Sequence, residues 1–199
     1  MTSDVPRRSV QWLSAIHALA LTIWSATLIS AAIAAMNVFP TMKVMAIDAE
    51  RFDALPRDEH GLIVAGVVME RIFATIDIVQ MAIAPIAVLT GIIVFYRSRA
   101  CPRPWSARLH VVAIVLAGVL LAGHLTMLAP TMNRELHAFW SSAEAGDVED
   151  AREHRAAFDE LHPFADTLLR ANLFILLAAG GCFAFAAAGP HQDSASCRL

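Results

Sequence analysis

The sequence is poor in charge, and this scarcity limits the kind of protein it encodes. Charged residues make up 17% of the 199 residues, whereas hydrophobic residues make up 57%. A typical soluble domain carries about 25% charged residues, so the composition argues against a water-soluble globular protein and indicates solvation by lipid. The net charge of -3 is too small to favour nucleic acid as a partner.

Cysteines and catalytic motifs are scarce as well. Of the three cysteines, Cys182 lies in an apolar run, and Cys101 and Cys197 lie in segments that we assign to the reducing cytoplasm. The sequence therefore predicts a fold without disulfide bonds. It also contains no Gly-rich phosphate loop, no Cys-x-x-Cys pair and no serine or cysteine nucleophile beside a base. We therefore predict a non-enzymatic protein.

Long apolar segments are what the sequence has in abundance. Four of them are long enough to cross a bilayer core of about 30 Å, which takes roughly 20 helical residues. They cover residues 12–36, 75–96, 109–131 and 166–187. The first is longer than the roughly 7–15 residues of a signal-peptide core, so we interpret it as an uncleaved span. The predicted fold class is all-α, a four-helix integral membrane bundle forming a single transmembrane domain over 1–199.

The distribution of basic residues predicts the orientation of the four spans. Arginines flank the spans at the N-terminus, in the short connection 97–108 and in the tail 188–199: Arg7, Arg8, Arg97, Arg99, Arg103, Arg108 and Arg198. Cytoplasmic ends carry the excess of basic residues, so we predict a cytoplasmic (inner) membrane protein with both termini in the cytoplasm. The connections 37–74 and 132–165, in which acidic residues outnumber basic ones, are then the outer loops.

The outer loops are predicted to contain helical caps. An uninterrupted second helix from Leu62 to Tyr96 would be about 52 Å long and would project beyond the membrane. Residues 151–161 have a helix-forming composition and can run on towards the fourth span. Pro163 is expected to mark a break or the first turn of a new helix.

An internal repeat is suggested by the sequence Pro-Thr-Met, which occurs at 40–42 and again at 130–132. Each copy is followed by an acidic loop, a Phe-led segment and a lone arginine, Arg71 or Arg170. This order favours two helical hairpins related by a pseudo-twofold axis along the membrane normal. The alternative is that a proline near a helix end is a general feature of helical hairpins.

Small residues recur at every fourth position of the first span, from Ser14 through Ala26 to Ala34. In lipid such a stripe allows close helix packing, although an alanine-rich span can fall into this register by accident. Together with Gly180 and Gly181, the stripe suggests that Ala/Gly-rich faces pack against other membrane subunits. The leading functional hypothesis is therefore a structural or accessory subunit of a membrane assembly.

Charged residues within spans are costly and usually have partners. Asp77 and Arg170 lie at comparable depths, so we predict an intramembrane ion pair between them, which Glu70 and Arg71 extend towards water. A structural clamp is one role for this pair, and a transport or proton-relay site is the other.

Histidines and methionines gather at the predicted outer end of the bundle: His60, His124, His162, Met42 and Met132. Imidazole and thioether groups suit copper, which gives a second hypothesis of a metal-handling or small-solute transport protein. No tight Met-x-x-Met or His-x-x-x-His motif joins them, and a hydrogen-bonded structural histidine is the alternative.

His17 and His110 lie in the cytoplasmic halves of the first and third spans. Two such histidines can ligate a haem iron between helices, which gives a third hypothesis, a haem-binding redox protein. His110 is also close enough to Arg108 to be an ordinary interfacial residue.

The order of these features resembles a known family, the bacterial four-helix membrane proteins grouped as domain of unknown function 4149, similar to eukaryotic transmembrane protein 205. The matching features are Trp24, Pro40, the Gly-led segment 61–73, Pro130, and the Phe-x-x-Leu-His segment 158–162 followed by Asn172. The chain lacks the expected glycine pair after Trp24 and has an additional Arg170. The resemblance implies the fold rather than an activity, and the family's outline similarity to the copper-resistance D membrane domain supports copper by analogy alone.

Overall fold

The structure is a computed structural model that describes residues 5–45, 47–97 and 105–188. Some residues used in the sequence predictions lie outside the described ranges, namely Arg99, Arg103, Arg198, Cys101 and Cys197. The side chains of Arg7 and Arg8 are also outside the description. Within the described ranges the chain is helical except for short turns and contains no strand. The predicted all-α class is therefore confirmed.

The described chain folds into long helical rods. In order, its elements are α1 (Val5–Val44), a 3-10 turn (Glu50–Phe52), α2 (Arg57–Arg97), α3 (Trp105–Gly123), a π-helical turn (His124–Leu128), α4 (Ala129–Ala145) and α5 (Val148–Ala188). The π turn joins α3 to α4 without a break, so the third rod runs from Trp105 to Ala145. All four rods are long and apolar enough to cross a membrane. The chain is a multi-pass membrane protein in contact with the lipid bilayer.

The rods are about twice as long as a bilayer core requires. α2 and α5 each have 41 residues, about 60 Å at 1.5 Å per residue, against a core of about 30 Å. The predicted early start of the second helix and the predicted helical cap at 151–161 are both confirmed. The predicted break at Pro163 is wrong, because α5 continues through it. Its missing N–H removes one hydrogen bond, and the helix is packed on both sides of the proline, where Ala151 and Ala165 are buried.

The chain divides into two compact units, each containing part of every rod. The terminal unit consists of Met1–Ala26, Val79–Leu120 and Ala171–Leu199, and the loop unit consists of Thr27–Ile78 and Leu121–Arg170. In the terminal unit, the buried side chains include Trp24, Ile114 and Leu176.

The buried face of α1 differs from the predicted small-residue stripe. His17, Leu21 and Trp24 are buried in the terminal unit, and Leu28 and Ala31 continue the same face in the loop unit. Of the predicted stripe, Thr22, Ala26 and Ser30 are exposed. The physical reason is that the His17 and Trp24 ring nitrogens need hydrogen-bond partners, which a span finds in the protein interior and not in lipid.

The loop unit has a small aromatic core of its own. Its buried members are Phe52, Leu55, Ile63, Phe139, Trp140, Ala143 and Ala151. Around this core, Arg155 pairs with Glu59, and the His154 Nδ1 lies 2.8 Å from a Glu135 oxygen. Gly146 ends α4 in the left-handed conformation with a φ of 81°, which glycine adopts without strain.

Glycine also permits the approach of α1 to α2 in the loop unit. A Cβ on Gly61 would clash with the Met42 carbonyl oxygen and would lie 3.1 Å from the Met42 carbonyl carbon and 3.4 Å from the Lys43 Cα. These are backbone atoms that cannot rotate away. Any larger residue at this position must therefore separate the two helices.

Candidate functional site

His60, the first predicted metal ligand, is fully buried and uses both ring nitrogens for hydrogen bonds. Its Nδ1 accepts the Ala49 N–H at 3.1 Å, and its Nε2–H donates to the carbonyl oxygens of Phe52 and Leu55 at 3.0 and 3.2 Å. A neutral ring with the proton on Nε2 satisfies these three hydrogen bonds, and the Asp48 Oδ1, 3.6 Å from Nδ1, lies beyond hydrogen-bond distance. His60 is therefore a structural residue that holds the 3-10 turn, with no nitrogen left for a metal.

A cavity of about 410 Å³ lies within the loop unit. Three of the five predicted metal-site residues line it, namely His124, Met132 and His162, as do Glu70 and Asp77. His60 and Met42 are not among its lining residues. Most of the wall is apolar or aromatic and includes Phe39, Leu62, Phe73, Leu136, Phe139, Trp140 and Phe158.

The predicted copper site is not assembled as a ligand cluster. Nowhere in the described part of the chain do three histidine, cysteine, aspartate or glutamate side chains group closely enough to hold a metal ion. Carboxylates around the cavity already have partners. Glu70 accepts a hydrogen bond from His137 Nε2 at 2.9 Å, and Asp159 lies 3.8 Å from the Arg155 Nε.

The predicted ion pair between Asp77 and Arg170 is replaced by two other contacts. Arg170 is exposed and pairs with Asp166, one turn earlier on α5, at 2.6 Å. An i, i+4 partner on the same helix is always within reach, whereas a partner on another helix must be brought there by packing. Asp77 instead faces His124, with 3.9 Å between its Oδ1 and the His124 Nε2. Arg71 is exposed.

The π turn positions His124. Ala129 N–H bonds to the His124 carbonyl, five residues back instead of four, and such π-bulges are frequent at functional sites. Pro130 follows directly, and its missing N–H removes one bond that an α-helix would need here. The extra residue in the turn changes the direction of the His124 side chain from the one it would have in a regular α-helix. The spacing of residues in the sequence therefore does not predict which residue His124 faces.

His124 and Asp77 both have hydrogen-bonding capacity that the protein leaves unused. His124 is buried, and its Nδ1 has no hydrogen-bond partner among the described residues. Its Nε2 is too far from Asp77 for a hydrogen bond, since such bonds fall below about 3.2 Å. This is the only ion contact that Asp77 makes within the described ranges. The arrangement therefore places a carboxylate and an imidazole ring in the wall of a largely apolar cavity.

His17 and His110, the predicted haem ligands, contact each other in the terminal unit. Their Nε2 atoms are 2.9 Å apart. Two imidazole nitrogens on opposite sides of a metal ion, each at a bond length of about 2.0 Å, would be about 4 Å apart. No iron fits between these two atoms as they are placed, so the geometry does not support the haem hypothesis.

The other ring nitrogens of this pair face the backbone. His17 Nδ1 lies 2.9 Å from the Ala87 carbonyl oxygen and 3.2 Å from the Thr90 Oγ1. His110 Nδ1 lies 2.9 Å from the Ala179 carbonyl oxygen. The Phe183 ring packs against both histidines, with centroids 5.0 and 5.4 Å away. Sequence reasoning missed these partners, because backbone carbonyls carry no residue-type signal.

Further buried polar groups lie elsewhere in the terminal unit. Trp24 Nε1–H donates to Gln80 Oε1 at 3.0 Å. The Gln80 Nε2, Ser106 Oγ and Asn172 Oδ1 are buried without a hydrogen-bond partner among the described residues. Gln80 and Asn172 are recognisable in the sequence as polar residues within spans, whereas Ser106 lies at the start of α3 and gives no such signal.

Comparison of the chain with protein-family models, with curated proteins and with solved structures finds no match, and the family resemblance noted in the sequence stays a prediction.

Proposed function

We propose that this membrane protein binds small apolar amines in the loop-unit cavity and serves in the handling of such solutes at the membrane. The observation that carries the proposal is the placement of Asp77 and His124, both with unused hydrogen-bonding capacity, in a largely apolar cavity of about 410 Å³. This volume lies in the range of small-molecule sites, roughly 300–1,000 Å³.

The two polar groups favour a cationic hydrogen-bond donor. Asp77 offers a carboxylate, which accepts hydrogen bonds when ionised. The His124 nitrogen nearest Asp77 is Nε2, so we assign the ring proton to Nε2, which leaves Nδ1 as an acceptor. An ammonium group has several N–H donors and a positive charge, and both favour pairing with the Asp77 carboxylate. An alcohol has one donor and no charge, and a carboxylate would be repelled.

The rest of the cavity suits the apolar body of such a ligand. Phe73, Trp140 and Phe158 are among its lining residues, and aromatic faces also attract cations. Four carboxylates line the cavity, on Glu70, Asp77, Asp159 and Asp166, against one arginine, Arg155. This excess of negative charge raises the local concentration of cations.

Three matched ligands test the proposal: phenethylamine, 2-phenylethanol and 3-phenylpropionate. Binding to the protein in lipid nanodiscs can be followed by tryptophan fluorescence, because Trp140 lines the cavity, with calorimetry as an independent measurement. We expect phenethylamine to bind at least about ten-fold more tightly than the alcohol, since a charged hydrogen bond contributes about 1.5–3 kcal/mol. We expect no binding of the carboxylate.

The variant Asp77→Asn removes the charge and keeps the shape of the side chain. It should weaken phenethylamine binding by about ten-fold or more and leave the alcohol nearly unchanged. Asp53→Asn is the matched control, because Asp53 is exposed and is not among the residues that line the cavity. Equal affinities for amine and alcohol in the unmodified protein would contradict the proposal.

For its cellular setting, we propose the cytoplasmic (inner) membrane with both termini in the cytoplasm. The arginines at the ends of the spans support this orientation through the positive-inside rule. Under it, the loop unit and its cavity are near the outer face. Reporter fusions after residue 97 and after residue 146 test the orientation, and an outer location of the first fusion would reverse it.

A structural or accessory role in a larger assembly is the second candidate. The exposed small residues of α1, Thr22, Ala26 and Ser30, favour it, as does exposed Gly181, where an added Cβ would meet nothing within 4 Å. Small residues allow a neighbouring helix to approach closely in lipid. Ala26→Leu should release a co-purifying membrane partner in mild detergent, whereas Leu19→Ala at another exposed position should not. A protein that is strictly monomeric and alone would contradict this role.

A further inference from the structure

The buried histidine pair of the terminal unit has more hydrogen-bond contacts than two neutral rings can supply with protons. His17 and His110 are both buried. Three contacts at 2.9 Å connect the pair to its surroundings and to itself: His17 Nδ1 to the Ala87 oxygen, Nε2 to Nε2, and His110 Nδ1 to the Ala179 oxygen. Each of these contacts needs one hydrogen.

The proton count follows from the chemistry of the partners. A backbone carbonyl oxygen only accepts hydrogen bonds, so each Nδ1 must carry a hydrogen. A neutral imidazole carries one hydrogen in all, so in two neutral rings both hydrogens are on the Nδ1 atoms. The two Nε2 lone pairs would then face each other at 2.9 Å, which is repulsive. One additional proton between them turns this contact into a hydrogen bond of ordinary length.

Thr90 does not remove the need for the additional proton. Its hydroxyl has one hydrogen and lies 2.6 Å from the Ile86 carbonyl oxygen, the shorter of its contacts, so it can accept from His17 Nδ1–H. If the hydroxyl donated to His17 Nδ1 instead, that nitrogen's lone pair would face the Ala87 oxygen at 2.9 Å. A neutral pair therefore contains a repulsive contact in either arrangement.

We infer that His17 and His110 form a proton-binding site, in which the two Nε2 atoms share one proton in excess of the two neutral rings. The bound species is a proton and not a metal ion, because the separation is well below the roughly 4 Å that an ion between two imidazoles requires. The inference rests on the terminal unit alone and does not depend on amine binding in the loop unit.

The surroundings hold the charge by hydrogen bonds and not by a counter-ion. Among the described residues, no carboxylate lies within ion-pair distance of either ring. α2 supplies the Ala87 carbonyl and the Thr90 hydroxyl, and α5 supplies the Ala179 carbonyl. Hydrogen bonds from a charged donor are roughly twice as strong as neutral ones. The other nearby titratable groups on these helices, Arg97, Arg108 and Cys182, form no ion pair or hydrogen bond with the pair.

This geometry also allows the proton to move. Transfer from one Nε2 to the other shifts the positive charge from α1 to α3 while both Nδ1–H bonds to the backbone remain in place. No heavy atom needs to move across the 2.9 Å contact. The shared proton can therefore be held by either ring within the membrane-spanning part of the chain.

Nitrogen NMR on ¹⁵N-histidine-labelled protein in nanodiscs tests the inference directly. As the pH is lowered through the range in which the protein stays folded, we expect both Nδ1 atoms of the pair to be protonated and a ¹⁵N–¹⁵N coupling to connect the two Nε2 atoms through the shared proton. His17→Gln and His110→Gln, each measured alone, assign the signals and should abolish the coupling. His137→Gln, at an exposed histidine of the loop unit, should leave it intact.

Two results would overturn the inference. One is a total of two protons on the pair, with one Nδ1 bare, throughout the pH range in which the protein stays folded. The other is a transition metal present at one equivalent in the same sample, whose removal shifts the signals of both histidines. Both measurements use the unmodified protein, so they hold even where a histidine variant fails to fold.

Discussion

The two units treat buried histidine in opposite ways. In the loop unit, the hydrogen-bond partners of His60 are one N–H donor and two carbonyl acceptors, so a neutral ring satisfies all three hydrogen bonds. In the terminal unit, His17 and His110 face carbonyl oxygens and each other, and a neutral pair cannot satisfy them. All three rings are buried. The comparison teaches that the donor or acceptor character of the partners decides whether a buried histidine carries charge.

The two units also differ in whether their charged residues form ion pairs. The loop unit balances its charges with ion pairs around an aromatic core, as a water-soluble domain does. The described terminal unit has no ion pair between side chains of opposite charge. Its helices pack instead through small and aliphatic residues and a few hydrogen-bonded polar groups, which is typical of helix association in lipid.

Removal of the His60 ring should have the largest effect on stability. His60→Ala leaves the Phe52 and Leu55 carbonyls and the Ala49 N–H without their partner and opens a cavity. Buried groups without partners and cavities of this size together cost about 3–5 kcal/mol. Thermal unfolding in detergent should show the loss, and amide exchange should increase over residues 47–56.

The exposed histidine His162 provides the control for this experiment. Its ring contacts the Phe158 ring, and His162→Ala should change stability by less than about 0.5 kcal/mol. A similar loss of stability in both variants would show that the hydrogen bonds of His60 contribute little to stability. His60 would then no longer serve as an example of a buried histidine whose contacts are satisfied by a neutral ring.

Two glycines of α2 should respond differently to the same methyl group. At Gly61 an added Cβ meets the Met42 backbone, whereas at Gly66 the nearest atom is the Trp140 Cζ2 at an ordinary 3.7 Å. Gly61→Ala should therefore destabilise the protein by about 1–3 kcal/mol, the usual cost of overpacking. Gly66→Ala should be neutral or stabilising, because alanine favours helix. The melting temperatures of the two variants, measured side by side, test this difference. Equal melting temperatures would refute the close approach of α1 to α2.

Gly91 extends the comparison to the terminal unit, with a smaller expected effect. Its added Cβ would meet the Ile114 Cδ1 and lie 2.9 Å from the His17 Cε1. Side-chain ends can shift, so Gly91→Ala should cost about 1 kcal/mol and displace the His17 ring. The displacement should weaken or abolish the Nε2–Nε2 coupling in the NMR experiment. At Gly181, where a Cβ meets nothing within 4 Å, the same change should leave the coupling intact.

Hydropathy and charge were sufficient to predict the fold class, because lipid requires long apolar helices whose backbone bonds are internal. The sequence also predicted that α2 extends beyond the bilayer and that residues 151–161 form a helical cap. It could not predict the continuity of α5 through Pro163, which depends on packing on both sides of that residue. The proposed duplication also stays a prediction. Its two Pro-Thr-Met segments lie at different places in their helices, one near the end of α1 and the other near the start of α4.

The partners of the site residues were beyond sequence reasoning for specific reasons. Arg170 has a nearer partner, Asp166, on its own helix. Asp77 faces His124 because a π turn changes the direction of that side chain, and regular helical spacing does not reproduce this change. The sequence singled out His17 and His110, and the structure brings their Nε2 atoms to 2.9 Å, a separation that does not support the predicted haem iron between them. The Nδ1 atom of each of these histidines contacts a backbone carbonyl about 70 residues away in the chain. The sequence contains no signal for such a contact.

The smallest expected effect is the pH dependence of a partly buried pair in the loop unit, His154 and Glu135. The hydrogen bond between them raises the pKa of His154, helped by the nearby Asp150, and lowers the pKa of Glu135, helped by Arg134. The His154 contribution is complete below its ordinary pKa of about 6.5 and is lost as the pH rises through the raised value. The Glu135 contribution is complete above about 4.3 and is lost as the pH falls through the lowered value.

The pair should therefore stabilise the loop unit most between about pH 4.3 and 6.5. The melting temperature of the unmodified protein minus that of His154→Gln should be largest in this window and decrease on both sides. Added salt should reduce the difference, because the groups are only partly buried and salt screens their charges. His162→Gln should show no such profile, since that ring contacts Phe158 and no carboxylate among the described residues. A difference that stays constant across the whole pH range would mean that His154 stabilises the loop unit by packing and not by charge.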